Sequence, residues 1–201
     1  FIEIFERTGL IYRLDRFIWE LAVQQLAKWQ KEGRDELYIS VNISTKDFQY
    51  MDVYQTITSL VERYGIIPST LKLEITETAI MMGNAGELET IGRFRNYGFE
   101  VEIDDFGSGY SSLNTLKDID VDVLKIDMGF LRTTRSERLE RSMSILNMII
   151  SLSKVLGLSV VTEGVETKEQ VSRLSQMGCG VYQGYYFSKP IPVHEFEERY
   201  M

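Results

Sequence analysis

The stretch Phe99–Tyr110 reads F-E-V-E-I-D-D-F-G-S-G-Y, and its pattern guides the interpretation of the rest of the chain. Apolar and acidic residues alternate through Val101 and Ile103, and Phe106 follows shortly after. Alternation of this kind is typical of a half-buried strand. The pattern therefore predicts a β-strand over Phe99–Asp104.

Two adjacent aspartates, Asp104 and Asp105, fall where this predicted strand ends, and Gly107 and Gly109 supply the sharp turn that follows. Like charges so close together repel, so such a pair either shares a proton or holds a cation. Aspartate before glycine is also ordinary chemistry of a solvated turn. The segment alone leaves both interpretations open, and the remainder of the chain favours the cation.

From Leu37 onward the chain alternates short β-rich runs with helical runs, which is typical of parallel βαβ units. Strands are predicted over Leu37–Ser44, Leu71–Thr76, Phe99–Asp104, Val123–Asp127, Leu158–Thr162 and Gly180–Gln183. Helices are predicted over Asp52–Tyr64, Ala85–Tyr97, Ser111–Leu116, within Glu137–Leu156, over Thr167–Met177 and over His194–Tyr200. Without a dinucleotide glycine fingerprint, this series favours an α/β barrel over a Rossmann sheet.

Two further helices are predicted before the first strand, over Phe1–Thr8 and Tyr12–Lys31. In the second, Phe17, Leu21, Leu26 and Trp29 recur at helical spacing, so we expect its aromatic residues to lie in the core. A (β/α)8 barrel needs eight strands, so about two are expected upstream of Phe1. The sequence is thus interpreted as one incomplete domain over residues 1–201.

Composition restricts the classes of partner. The 201 residues carry a formal net charge of −8, which argues against binding to nucleic acid polymers or anionic lipid. No apolar run approaches the roughly 20 residues of a membrane span. The single cysteine, Cys179, cannot form an internal disulfide and is expected to be a small buried residue in a reducing, cytoplasmic compartment.

A polar residue lies at or just beyond the end of each predicted strand. These residues are Asn42, Glu74, Glu77, Asp104, Asp105, Lys125, Asp127, Glu163, Glu166 and Gln183. Strand ends in a parallel barrel converge on one mouth, so we expect these side chains to meet there. Carboxylate and amide oxygens suit Mg²⁺ or Mn²⁺, and their number makes two metals plausible.

Other catalytic classes fit poorly. The lone histidine, His194, falls in the last helix and is expected at the surface, which argues against a histidine zinc site or a Ser-His-Asp triad. Lys125 has two open interpretations. It polarises an attacking water and steadies the charge that develops at phosphorus, or it is a buried lysine paired with a carboxylate.

Six ordered motifs resemble those of EAL-domain cyclic-di-GMP phosphodiesterases. They are V-N-I-S at 41–44, L-E-I-T-E at 73–77, D-D-F-G-S-G-Y-S-S-L at 104–113, L-K-I-D at 124–127, E-G-V-E at 163–166 and Q-G-Y-Y-F-S-K-P at 183–190. The resemblance implies a TIM-like barrel with one antiparallel strand and two Mg²⁺ or Mn²⁺ ions. It also implies hydrolysis of one phosphodiester bond of cyclic-di-GMP to give linear pGpG.

The resemblance also implies roles for individual residues. Asn42, Glu74 and Asp104 resemble ligands of the first metal, and Asp104, Asp105 and Glu163 resemble ligands of the second. Lys125 resembles the residue that contacts the nucleophilic water, with Glu163 and Gln183 beside it in the catalytic set. Glu77 resembles the acid that braces the loop after Asp105, and Glu166 and Asp127 are expected to support loops.

The strand that carries the family's namesake Glu-Ala-Leu is expected upstream of Phe1, and this leaves alternatives open. The chain is expected to be an active phosphodiesterase or, if the upstream glutamate is altered, an inactive cyclic-di-GMP receptor. A third alternative, an enolase-type lyase, is disfavoured by the ordered motifs. The resemblance further implies a homodimer fused to other signalling domains.

Overall fold

The computed structural model describes residues 2–107, 119–127, 129 and 136–201. Helices are α1 (Ile2–Thr8), α2 (Ile11–Lys31), α3 (Thr45–Tyr50), α4 (Val53–Tyr64), α5 (Glu77–Met82), α6 (Ala85–Tyr97), α7 (Ser136–Val155), α8 (Lys168–Gln176) and α9 (Val193–Tyr200). Strands are β1 (Ile39–Ile43), β2 (Leu71–Thr76), β3 (Glu100–Phe106), β4 (Val123–Asp127), β5 (Ser159–Glu163) and β6 (Val181–Tyr182). The chain forms two compact units, Phe1–Leu124 and Lys125–Met201, and β4 spans their boundary.

The first unit contains three parallel strands in the order β1-β2-β3. Asn42 lies opposite Glu74, which in turn lies opposite Glu102, and Thr76 lies opposite Asp104. Side chains at alternate positions of a strand point to the same face. This register therefore fixes which side chains of the three strands are neighbours.

One face of these strands forms the core of the first unit. Its side chains, all buried, are Val41, Ile43, Leu71, Leu73, Ile75, Val101 and Ile103. Helix α2 packs against β1 and β2, and α6 packs against β3. The helices contribute the buried side chains of Trp19, Leu26 and Phe94 to this layer.

The second unit contains the parallel pair β5 and β6, in which Val161 lies opposite Val181. Helix α7 packs against β5. The core of the second unit includes Leu146, Ile150 and Leu174. Cys179 is a buried free thiol, as predicted. His194 is exposed in α9, which also agrees with the sequence analysis.

Most predicted elements are confirmed to within two residues of their bounds, but two short helices were missed. Helices α3 and α5 are six residues each, too short to show helical periodicity. Each begins directly after a strand with a side-chain cap, Ser44 for α3 and Thr76 for α5. The predicted helix Ser111–Leu116 and the turn residue Gly109 lie outside the described residues.

The expectation that the aromatic residues of α2 lie in the core was confirmed for Trp19 and Trp29 and wrong for Phe17, and the predicted apolar spacing is only partly buried. Leu26 and Trp29 are buried, but Phe17 is 57 % exposed and Leu21 is 45 % exposed. The buried face of the helix instead runs through Trp19 and its neighbours Ala22 and Val23. Apolar residues lie on more than one side of this helix, so periodicity did not identify the side that packs. Among the described helices, none has both the length and the hydropathy needed to cross a membrane.

Candidate metal centre

Up to Asp104, the second face of β1, β2 and β3 carries polar side chains. They are Ser40, Asn42, Lys72, Glu74, Thr76, Glu100, Glu102 and Asp104, which alternate with the apolar residues of the core face. Two of these side chains, Glu74 and Glu102, are buried carboxylates. Buried charge on a continuous polar surface indicates a site for charged or metal-bound groups.

The three side chains predicted to hold a first metal share this face. Asn42 lies directly opposite Glu74, and Asp104 lies one row further toward the carboxyl ends of the strands. Glu74 is buried and Asn42 is exposed. The main chain at Asn42 is fixed from the helix side, because the indole Nε1 of Trp19 donates a hydrogen bond of 2.9 Å to its carbonyl oxygen.

The aspartate pair differs from the sequence interpretation in its secondary structure. Strand β3 does not end at Asp104 but continues through Asp105 to Phe106. Asp105 adopts a φ of +56°, a left-handed conformation that is uncommon for a residue other than glycine. Its amide donates a hydrogen bond of 3.0 Å to Oδ1 of Asp104, and the two carboxylates present oxygens within 4.8 Å of each other. The backbone turn thus brings both carboxylates to the same end of the strand.

Glu77, to which the resemblance assigns a bracing role after Asp105, contacts Gly107, the residue that follows β3. Its carboxylate Oε2 accepts a hydrogen bond of 3.0 Å from the amide of Gly107. The side chain is buried at the first turn of α5, and its Oε1 has no hydrogen-bond partner within residues 2–107, 119–127, 129 and 136–201. Because Gly107 follows β3 directly, this contact ties the start of the loop to α5.

Two predicted site residues of the second unit form an ion pair. The ammonium of Lys125, on β4, lies 2.9 Å from Oε1 of Glu163, and the lysine is buried. Glu163 is the last residue of β5, whereas the sequence analysis placed it just after that strand. The pairing is one of the two interpretations that the sequence left open for Lys125, and it leaves the other possible.

Gln183 and Glu166 share a cavity of about 500 Å³ in the second unit. Both side chains are exposed there. The main chain of Gln183 bonds to β5 and to the segment after it, since its amide donates to the carbonyl of Thr162 and its carbonyl accepts from the amide of Val165. Gly184 comes next, at a φ of +156°, and a Cβ at this position would overlap the backbone of Val165. The close approach of these two segments therefore requires glycine.

Asp127, expected to support a loop, is the last residue of β4. Its Oδ1 accepts a hydrogen bond of 2.6 Å from the amide of Gly129. Glu166 donates through its main-chain amide to Oε1 of Gln170, which also caps α8. Both acids thus take part in local contacts at the ends of strands β4 and β5.

Three charged residues of the polar face were missed by the sequence analysis. The ammonium of Lys72 lies 2.6 Å from Glu100 and 3.4 Å from Glu102, and 3.9 Å from the centre of the Tyr38 ring. Burial by itself lowers the pKa of Lys72, but the two carboxylates outweigh it and raise that pKa above its ordinary value. The alternation along the strands could have identified them, because these three residues occupy the same alternate positions as Glu74 and Asp104.

Comparisons with known proteins agree with the class of fold that the strands and helices define, an α/β protein of parallel strands. The family model described as the EAL domain matches residues 1–190. The chain is 35 % identical to the signaling protein YkoW of Bacillus subtilis over 98 % of its own length and 24 % of that protein. It is 34 % identical to the cyclic di-GMP phosphodiesterase NbdA of Pseudomonas aeruginosa, over 98 % of its own length and 25 % of that protein.

A solved structure described as the PaMucR phosphodiesterase in complex with c-di-GMP superposes with a TM-score of 0.90 at 32 % identity. The superposition covers 98 % of this chain and 78 % of that one. The chain therefore belongs to the EAL domain family and has its TIM-like fold. It spans about a quarter of the length of the curated relatives named above.

Proposed function

We propose that this protein hydrolyses one phosphodiester bond of cyclic-di-GMP to give linear pGpG, using two Mg²⁺ or Mn²⁺ ions. The observation that carries the proposal is the common face of Asn42, Glu74 and Asp104 on three hydrogen-bonded parallel strands. Relatives that are named cyclic di-GMP phosphodiesterases support the choice of substrate. The proposed activity belongs to the whole protein, of which this chain supplies the residues discussed here.

The donor chemistry of the polar face fits hard divalent cations. Asn42, Glu74 and Asp104 offer only amide and carboxylate oxygens, and Asp105 adds a further carboxylate at the strand end. Zinc sites usually contain nitrogen or sulfur ligands, which these four residues do not provide. When bound, a metal pair supplies a hydroxide at neutral pH and neutralises charge on the phosphate oxygens. In our proposal Asp104 would be a ligand of both ions and Asp105 a ligand of the second, and Glu163 of the second unit is the remaining ligand that the resemblance implies.

We assign the remaining residues to water and substrate. Lys125 contacts the attacking water, and its ion pair with Glu163 holds the ammonium in place. Gln183 lies beside a cavity large enough for part of a nucleotide and contacts the water or the substrate. Glu77 braces the loop after Asp105 through the Gly107 amide. We further propose a cytoplasmic homodimer linked to other signalling domains.

A direct assay tests this function. The full-length protein is incubated with cyclic-di-GMP and Mg²⁺ or Mn²⁺, and pGpG is measured by chromatography, with a chelator as the negative control. We expect metal-dependent pGpG that is lost in Asp105→Ala and retained in Glu89→Gln, an exposed acid of α6. Tight binding of cyclic-di-GMP without product would instead mean a receptor, and neither binding nor product would refute both functions.

A further inference from the structure

The polar face carries further charged side chains next to the proposed metal ligands. Glu102 on β3 is directly opposite Glu74 on β2, which is directly opposite Asn42 on β1. Glu102 therefore extends the ligand row by one strand, although the sequence motifs do not mark it. It is only 3 % exposed, so its charge is largely removed from water.

The adjacent row supplies a cation that pairs with the buried carboxylate of Glu102. Lys72 lies two residues before Glu74 on the same face, and its ammonium reaches both Glu100 and Glu102. The hydroxyl of Ser40 lies 3.4 Å from Oε2 of Glu102, and the ring of Tyr38 covers the ammonium. Glu100 and Glu102 thus share the ammonium of Lys72.

We propose that Glu102 and Lys72 are positioning residues that set the affinity of the first metal site from opposite directions. The proposal rests on the function proposed above. Two neighbouring carboxylates on one face repel each other, and a divalent cation at Glu74 relieves that repulsion. Glu102 therefore strengthens cation binding. Lys72 weakens cation binding, and its pairing with the carboxylates stabilises the face when no metal is bound.

The opposite signs separate this role from that of a structural ion pair. If Lys72 and Glu102 only held the strands together, removing either partner would loosen the site and lower its metal affinity. If they act through charge, Glu102→Gln removes a negative charge and weakens binding, whereas Lys72→Met removes a positive charge and strengthens it. Each replacement has nearly the shape of the residue it replaces, and in Glu102→Gln the ammonium of Lys72 retains Glu100 at 2.6 Å.

The experiment measures binding of Mn²⁺ alone to the metal-free full-length protein by titration calorimetry. For Glu102→Gln we expect about tenfold weaker binding, and for Lys72→Met about tenfold tighter binding with a lower melting temperature before metal is added. The double variant is expected near wild type, because the two charge changes cancel. Lys72→Arg is expected to restore wild-type affinity.

Charge-matched variants of exposed residues, Glu89→Gln on α6 and Lys31→Met at the end of α2, control for the net charge of the protein and should leave the affinity within twofold. An affinity of Glu102→Gln within twofold of wild type, or weaker binding in both single variants, would overturn the inference. Should Lys72→Met fail to fold, the melting temperature of metal-free Glu102→Gln decides: weaker Mn²⁺ binding at an unchanged melting temperature supports the charge role, and weaker binding with a clearly lower melting temperature overturns it. Absence of Mn²⁺ binding by the wild-type protein would overturn the metal-dependent function as well, so the two failures are distinguishable.

Discussion

The two faces of strands β1, β2 and β3 share one backbone and have opposite chemistry. On the helix-covered face, none of the core side chains of these strands exposes more than 3 % of its surface. On the other face the side chains from Ser40 to Asp104 are polar, yet Glu74 and Glu102 are nearly as well buried as the core. Burial alone therefore does not distinguish the two faces.

The difference between the faces lies in what burial does to the free energy. Removing apolar side chains from water stabilises the fold by roughly 25 cal/mol per Å². Removing carboxylates from water costs free energy unless a cation or hydrogen-bond donors compensate. The core face thus supplies stability, while the polar face holds charge that a bound cation is suited to neutralise.

The largest expected effect separates activity from stability on the polar face. Asp104→Asn keeps the shape of the side chain but removes a charge that we assign to both metal sites. We expect hydrolysis of cyclic-di-GMP to fall about a thousandfold, close to 4 kcal/mol in the barrier. Its melting temperature without metal should be unchanged or higher, because one of the like charges is gone. A variant that melts much earlier and retains activity would contradict this assignment.

The reverse result is expected on the core face. Leu73 is fully buried between Leu71 and Ile75, and Leu73→Ala leaves a cavity under the helices. We expect the free energy of unfolding to fall by about 3 kcal/mol. Denaturant unfolding measures this loss, and Mn²⁺ affinity of the folded fraction should stay within a few-fold of wild type. A large loss of affinity at constant stability would mean that the two faces are not independent.

A smaller effect is expected where the two faces are linked by one hydrogen bond. Trp19→Phe keeps an aromatic ring in the core but removes the donor to the carbonyl of Asn42. We expect a loss of about 1 kcal/mol in stability, together with a several-fold weaker affinity for Mn²⁺. Leu26→Met, a similar buried position of α2 without this bond, is the matched control. Equal Mn²⁺ affinities for both variants would show that the bond does not orient Asn42.

The smallest effect concerns Asp47, a buried carboxyl group in α3 outside the polar face. Desolvation raises its pKa, although hydrogen bonds from the amide and hydroxyl of Ser44 partly oppose this. A raised pKa in the folded state means that the folded protein holds this proton more tightly than the unfolded chain. Its contribution to stability is therefore lost as pH rises from the ordinary aspartate range through the folded pKa.

Asp47→Asn tests that sign. Asparagine can still accept the bond from the Ser44 amide, so the cap of α3 is retained. We expect the variant to gain stability relative to wild type as pH rises from about 4 to 7, as measured by denaturant midpoints at a series of pH values. A difference that does not change with pH would rule out titration of Asp47 in this range.

The sequence predicted the bounds of the strands and of the longer helices well, because each shows its own hydrophobic period over its length. The bounds of β2, β4 and α6 agree with the prediction residue by residue. It failed at α3 and α5, which are set by a local cap after a strand, and at Phe17 and Leu21, whose exposure depends on what packs against α2. These failures have one origin. Neither a six-residue helix nor a helix with apolar residues on several sides shows from its sequence which surface it packs against.

The strand-end residues were predictable for the same reason as the strands: parallel strands bring their carboxyl ends to one edge. The sequence by itself thus determined the alternation, the parity of Asn42, Glu74 and Asp104, and the family of the chain. Only the tertiary structure decided the register that sets Glu102 beside Glu74, the reach of Lys72 to two carboxylates and the bond from Trp19 to Asn42. Parity follows from the covalent geometry of a strand, whereas neighbours on other strands depend on how the whole chain packs.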